Sequence, residues 1–365
     1  MKTLPHLEII QLCARKTMGL ERRERFAALI RSVEDFDALI GASAAHGITP
    51  LLCKHLESIA CDCLPAAWRD RVCAEFQRNS RRNLFLTVEL FKVLDAFEAH
   101  GIRAISHKGP ALAEQAYCDI ALRQFNDLDL VLRQSEIRAA HDVLMSLGYR
   151  SEIGWADGPD REKIPGHYAY CDGSGRVNLE LHTEATLRYL PVPLRLDELL
   201  RRLDTVEIGG RRVEIFAAED ALPMLCVHGA KHLWDRLSWL VDISELTQVA
   251  RGFNWGRAME AARQLGAERM MLLGLGVARE LIGTLLPDSI EQQIRTDRGV
   301  MPLVKQACER FMGAAGSRMG LVQRFQMRAQ MSGGGFNGAR YALRLTIRPT
   351  EEDWERLRLP KLFSP

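Results

Sequence analysis

The chain has 365 residues, 47% of them hydrophobic and 26% charged, enough apolar mass for one large core or several modest ones, which excludes general disorder. Its 49 Lys and Arg against 47 Asp and Glu leave a formal charge of +2. Whole-molecule attraction cannot therefore hold long nucleic acid or an anionic membrane, and any bound anion must meet a local cluster.

The first residues lack a signal-peptide core, and no apolar run is long enough to cross a bilayer, so a soluble, cytoplasmic protein is expected. Nine cysteines at irregular spacing do not make a secreted disulfide framework. Cys61 and Cys63 are the one close pair; without a second pair at finger spacing they read as free thiols rather than zinc ligands.

From Leu7 to about Ala99 apolar residues recur every three or four positions, as in Phe26, Leu29 and Ile30, and in Leu84, Val88, Phe91 and Leu94. Residues 1–99 are thus an N-terminal helical region of four or five helices, with breaks at Gly41, at Gly47 with Pro50, and at Pro65. His100-Gly101 closes it. Ile102, Ala104 and Ile105 then form a strand that stops at Lys108-Gly109-Pro110, and Pro110 opens a helix carrying Leu112, Ala113, Ala116 and Tyr117. Asp127 to Leu132 alternates acid and apolar residues as a half-buried strand, followed by a helix capped by Ser135 and closed by Gly148.

Two hairpins follow. One joins residues 167–171 to 176–182 across Asp172-Gly-Ser-Gly175; the other joins 206–208 to 212–216 across Gly209-Gly210. The polar, Gly/Pro-rich stretch from Gly154 to Gly166 reads as a surface loop or lid. Helical spacing returns from Ala218 to about Ala329, and residues 331–365 read as a tail packed on the body. The expected architecture is α+β: a small mixed sheet at 100–217 between the N-terminal helical region and a C-terminal helical domain at 218–330.

Residues i and i+2 of a strand project from one face about 6–7 Å apart, so Asp127 and Asp129 form an open oxygen-ligand pair while Leu128 and Leu130 point to the core. Such pairs, with substrate phosphates, suit Mg²⁺. Asn178 to His182 repeats the alternation, with Glu180 and His182 on one face. If this strand lies beside the first, Glu180 becomes a third carboxylate, and three acids can hold two Mg²⁺ ions about 3.5–4 Å apart. Lys108, the Gly109 turn and Arg123 offer a point charge, free amides and a guanidinium fork to phosphate. His182 reads either as a base or phosphate contact or as a buried, hydrogen-bonded imidazole.

The run HKGPALAEQAYCDIALRQFNDLDLVL, with NLELHTEA and EDALPMLCVHGAKHLWDRLSWLVDISEL after it, resembles uncharacterised bacterial nucleotidyltransferase-like proteins of the DNA polymerase β superfamily. The resemblance implies a Gly-containing strand–helix turn at Gly109, a metal pair at Asp127 and Asp129, and a third acid at Glu180. It implies Mg²⁺-dependent transfer of a nucleoside monophosphate from an NTP such as ATP to a hydroxyl acceptor, with pyrophosphate release. The acceptor stays open between a small molecule, a peptide, a protein and RNA, with the near-neutral charge arguing against long nucleic acid. Where the superfamily commonly has Gly-Ser or Gly-Gly, this chain has Gly109-Pro110. The alternative is a catalytically silent protein that binds a nucleotide or a partner on the same fold.

His228 and His232 stand i, i+4 on a helix, a zinc-binding spacing, but Gly-Ala-Lys between them supplies no general-base glutamate. They read as core imidazoles or, with Lys231 and Arg236, as cleft residues. Trp234, Trp239 and Trp255 read as core aromatics, and Asp242 as a structural pairing partner or a polar anchor in the cleft.

Overall fold

The computed structural model describes residues 5–59, 64–151, 166–184, 196–249, 252–312 and 320–333. The lid expected before Gly166, the Cys61–Cys63 pair and all but the first residues of the tail lie outside them.

Among the described residues five helices open the chain: α1 (Pro5–Cys13), α2 (Leu20–Ile30), α3 (Phe36–Ala45), α4 (Thr49–Ile59) and α5 (Ala66–Ala99). Gly41 does not break the chain but lies within α3, where burial of Phe36, Leu39 and Ile40 outweighs the roughly 1 kcal/mol that a mid-helix glycine costs. The end of α5 is as expected: the Gly101 amide donates to Glu98 O and the Ile102 amide to Phe97 O, at 3.0 and 2.9 Å, a Schellman closure.

The sheet region follows as β1 (Ile105–Ser106), α6 (Gly109–Leu112) running into a wide π-turn at 113–117, β2 (Asp127–Val131), α7 (Ile137–Ser146), β3 (Arg150–Ser151), β4 (His167–Cys171), β5 (Asn178–His182), α8 (Leu196–Leu199), β6 (Leu203–Ile208) and β7 (Arg211–Phe216). Strand β1 begins later than the run at Ile102 suggests. Ser135 is not a helix cap: it sits in a 3₁₀ turn, and the Glu136 carboxylate secures the entry to α7 by accepting from the Arg133 amide at 3.0 Å. The strands form one mixed sheet in the order β3-β4-β5-β2-β1-β7-β6, with β2 parallel to β5 and β1 parallel to β7. This is the α+β architecture expected.

Alternation decides which face of the sheet carries chemistry. Leu128 and Leu130 of β2, Leu179 and Leu181 of β5, and Tyr168 and Tyr170 of β4 all pack into one cluster with Leu86, Leu90 and Phe97 of α5 and Ala140 and Leu144 of α7. Each such burial stabilises by about 1.5–3 kcal/mol. Because the side-chain period is two, a one-residue slip would drive the acids into this core, so the leucines and tyrosines lock the register.

The opposite face meets the C-terminal helices: α9 (Ala218–Lys231), α10 (Leu237–Val249), α11 (Trp255–Gln264), α12 (Glu268–Ile282), α13 (Asp288–Thr296), α14 (Val300–Met312) and α15 (Leu321–Met331). Their apolar sides share a single cluster with Ile9, Ile10, Phe26 and Leu52 of the N-terminal helices and Val131 of β2. No helix among the described residues is long and apolar enough to cross a membrane.

Candidate active site

Parallel pairing of β2 with β5 sets Asp127 opposite Asn178, Asp129 opposite Glu180 and Val131 opposite His182. Antiparallel pairing of β4 with β5 sets His167 opposite His182. Asp127, Asp129, Glu180, His167 and His182 therefore emerge together on the face away from the leucine core, where they line a cavity of about 610 Å³. Helices α9 and α10 form the facing wall with Met224, His228, Lys231, His232 and Trp239.

Asp129 is at the centre of the acidic side. Its side chain is 1% exposed; Lys108 Nζ donates to Oδ1 at 3.1 Å, and His182 Nε2 lies 3.0 Å from the same oxygen. The other carboxylate oxygen, Oδ2, is buried and has no hydrogen-bond partner among the described residues. His182 Nε2 also lies 3.4 Å from Glu180 Oε2, and His167 Nε2 lies 2.7 Å from it. The two imidazoles stack with centroids 4.9 Å apart.

These contacts push the titrations apart. Burial, with Asp129 beside it, pushes the Asp127 carboxyl up to about 6. For Asp129 burial acts in the same direction, but the Lys108 ammonium and the His182 imidazole outweigh it and hold the carboxyl well below its ordinary value. Burial of Glu180 is likewise outweighed by His167 and His182, which hold it low. Lys108 and His182 gain more from the surrounding carboxylates than burial removes, and both are raised. For His182 the two carboxylates at hydrogen-bond distance favour the protonated ring.

Two of the expected phosphate contacts are placed differently. Gly109 is not part of the cavity wall; it adopts φ +55°, and a Cβ there would meet the Asp127 carbonyl at 3.4 Å, so this turn lets the helix after β1 pack against β2. Arg123 lines the cavity, but its fork is engaged: Nε and Nη2 donate to Asp242 at 2.8 and 2.9 Å. Tyr117 Oη donates to Asp242 at 2.7 Å as well. The structure makes Asp242 a pairing partner that ties the π-turn and Arg123 to α10, leaving only Nη1 of the guanidinium without a partner among the described residues.

On the facing wall, burial, with Lys108 nearby, holds His228 well below its ordinary value. Burial and Lys231 push His232 down to about 3. Both rings lie against Trp239, with centroids 5.5 and 5.1 Å away. Trp239 packs against the core cluster as expected and lines the cavity as well, whereas Trp234 is fully buried in the core.

Sequence reasoning missed His107 and His167. His107 precedes Lys108 and is buried; burial and the Lys108 charge push it down to about 3. Its amide donates to Asp129 O at 3.0 Å, completing the β1–β2 edge. His167 had a readable signal: folding the hairpin about Asp172–Gly175 sets residue 167 against residue 182.

With this geometry in place, comparison with known proteins adds one firm result. A family profile described as "Uncharacterised nucleotidyltransferase" matches residues 32–283, more than half of the chain. No curated protein matches. Among solved structures, similarity extends to a lincosamide antibiotic adenylyltransferase with lincomycin bound, at 16% identity over 44% of this chain and 96% of that one, TM-score 0.33. It extends also to ANT(2'')-Ia in complex with adenylyl-2''-tobramycin, at 13% identity over 62% and 99%, TM-score 0.30. A nucleotidyltransferase-like protein from Paracoccidioides brasiliensis gives 18% identity over 58% and 96%, TM-score 0.33. Structural likeness this low carries no inference about what this chain acts on.

Proposed function

The chain belongs to the uncharacterised nucleotidyltransferase family, and from that premise we propose that it moves a nucleoside monophosphate from an NTP to a hydroxyl acceptor, releasing pyrophosphate. The observation that carries the reading is the β2–β5 pairing, which brings Glu180 beside Asp129 on the cavity face that also holds Asp127.

The carboxylates fit Mg²⁺. The donors are hard oxygens, the Asp129 Oδ2 atom is buried without a partner, and Asp127 is ionised only against the charge of its neighbour. Asp127, Asp129 and Glu180 would hold two Mg²⁺ ions, which would supply charge neutralisation and lower the pKa of an attacking hydroxyl. Lys108 offers positive charge to phosphate oxygens, His182 can add a ring N–H, and Nη1 of Arg123 can add one donor. Trp239, His228 and His232 would shape the pocket for base or acceptor, where folds of one architecture differ.

The test is incubation of the full chain with each α-labelled NTP, Mg²⁺ and a cell-metabolite extract, followed by mass spectrometry of labelled products. A nucleotide-bearing acceptor together with pyrophosphate is expected; the absence of both with every NTP would overturn the reading. One observation favours a second reading. Lys108 and His182 already compensate Asp129, as they would in a protein that binds a nucleotide without turning it over, and Mg²⁺-dependent NTP binding with no pyrophosphate would select that outcome.

A further inference from the structure

We propose that His167, Glu180 and His182 form a binding site for a borderline transition-metal ion of the Zn²⁺ or Co²⁺ class, with a donor set chemically distinct from the Asp127–Asp129 pair. The ligand atoms of the three residues lie within 4.8 Å of one another. Two strands supply them: His167 and His182 face each other across the β4–β5 register, and Glu180 lies two residues before His182 on the same face. The rings are already stacked, and each has an Nε2 turned toward the same carboxylate oxygen, at 2.7 and 3.4 Å. Strand pairing, rather than mobile loops, therefore fixes the donors in advance.

The donor set selects the ion. Mg²⁺ favours oxygen ligands and sheds water reluctantly, whereas imidazole nitrogen suits zinc, copper, iron and nickel, and two histidines with one glutamate are an established zinc set. All three residues belong to the cavity wall, so an ion from solvent can reach them. Asp129 Oδ1 lies 3.0 Å from the same His182 Nε2, a contact that the ion would displace on binding. The site shares Glu180 with the proposed reaction but goes beyond it, since ion binding here needs no nucleotide.

The experiment titrates metal-stripped, full-length protein with Co²⁺ in the absence of nucleotide, followed by visible absorption and calorimetry. One saturable Co²⁺ per chain is expected, retained in millimolar Mg²⁺ and displaced by Zn²⁺. His167→Ala and His182→Ala should each weaken binding by about tenfold or more, while Asp127→Asn should stay within about threefold of the parent. No saturable binding, displacement by millimolar Mg²⁺, or parent-like binding in a His167→Ala protein with the parent's circular dichroism would each overturn the proposal. Should that variant not fold, His167→Gln gives the same decision. A protein that binds Co²⁺ as described but transfers no nucleotide would sink only the proposed reaction; transfer without this Co²⁺ site would sink only the metal proposal.

Discussion

Asp127 is the residue at which function and stability pull apart. Its carboxyl stands at about 6 in the fold against about 3.9 in an unfolded chain, so the folded state holds this proton more tightly. The stabilisation is complete below the unfolded value and disappears as pH rises through the folded one. Replacing the carboxylate by an amide removes the repulsion with Asp129. We expect Asp127→Asn to unfold at the same or a higher temperature at pH 8, a gain of up to about 3 kcal/mol, and to lose the fall in stability between about pH 4 and 6. Nucleotidyl transfer should drop by about a hundredfold or more. A variant several kcal/mol less stable, or equally active, would contradict this assignment. The shared face of the acids and His182 was readable because alternation fixes the face of a strand residue, and Lys108 stood out by its place beside the Gly109 turn. The engagement of Arg123 was not, since its partner Asp242 lies more than a hundred positions away in sequence.

At the scale of elements, the facing wall depends on the turn after α9. Leu233 and Trp234 adopt φ +57° and +59°, a left-handed conformation that costs bulky residues roughly 1–2 kcal/mol each. Burial of the Trp234 indole outweighs that cost, and it requires room: a Cβ on Gly229 would lie 2.1 Å from Trp234 Cζ3, and one on Gly274 2.6 Å from Cη2. Gly229→Ala should therefore destabilise the chain by about 1–3 kcal/mol through overpacking, measured by chemical denaturation; an unchanged midpoint would show that the indole moves freely. No local pattern announces such a turn, because neither Leu nor Trp favours positive φ. Strand pairs, the two hairpins and the glycine end of α5 were legible from period and turn residues. Gly41 and Ser135 were misread because propensity marks where a helix can end, while packing of neighbouring side chains decides where it does.

For the whole molecule, the buried Arg123–Asp242 pair joins the sheet region to the C-terminal helices behind the cavity. Removing one partner leaves a buried charge, so Arg123→Ala and Asp242→Ala should each cost about 3–5 kcal/mol. The double change Arg123→Met with Asp242→Leu should recover most of that loss, since the two residues touch and their effects couple. Single changes costing less than about 1 kcal/mol would contradict a structural role for the pair. The helices at the two ends of the chain share one apolar cluster, a long-range arrangement that helical periodicity cannot reveal. The cavity arises where that cluster meets the polar face of the sheet.

The central claim, that the converging acids bind a nucleotide through a divalent ion, is tested most directly by equilibrium binding of an NTP analogue that cannot be cleaved between its α- and β-phosphates. The account predicts saturable binding to the parent protein in Mg²⁺, at least about tenfold weaker binding in EDTA, and a similar loss for Asp129→Asn in Mg²⁺. Equal affinity with and without the metal, or an Asp129→Asn protein that binds as the parent does, would contradict it.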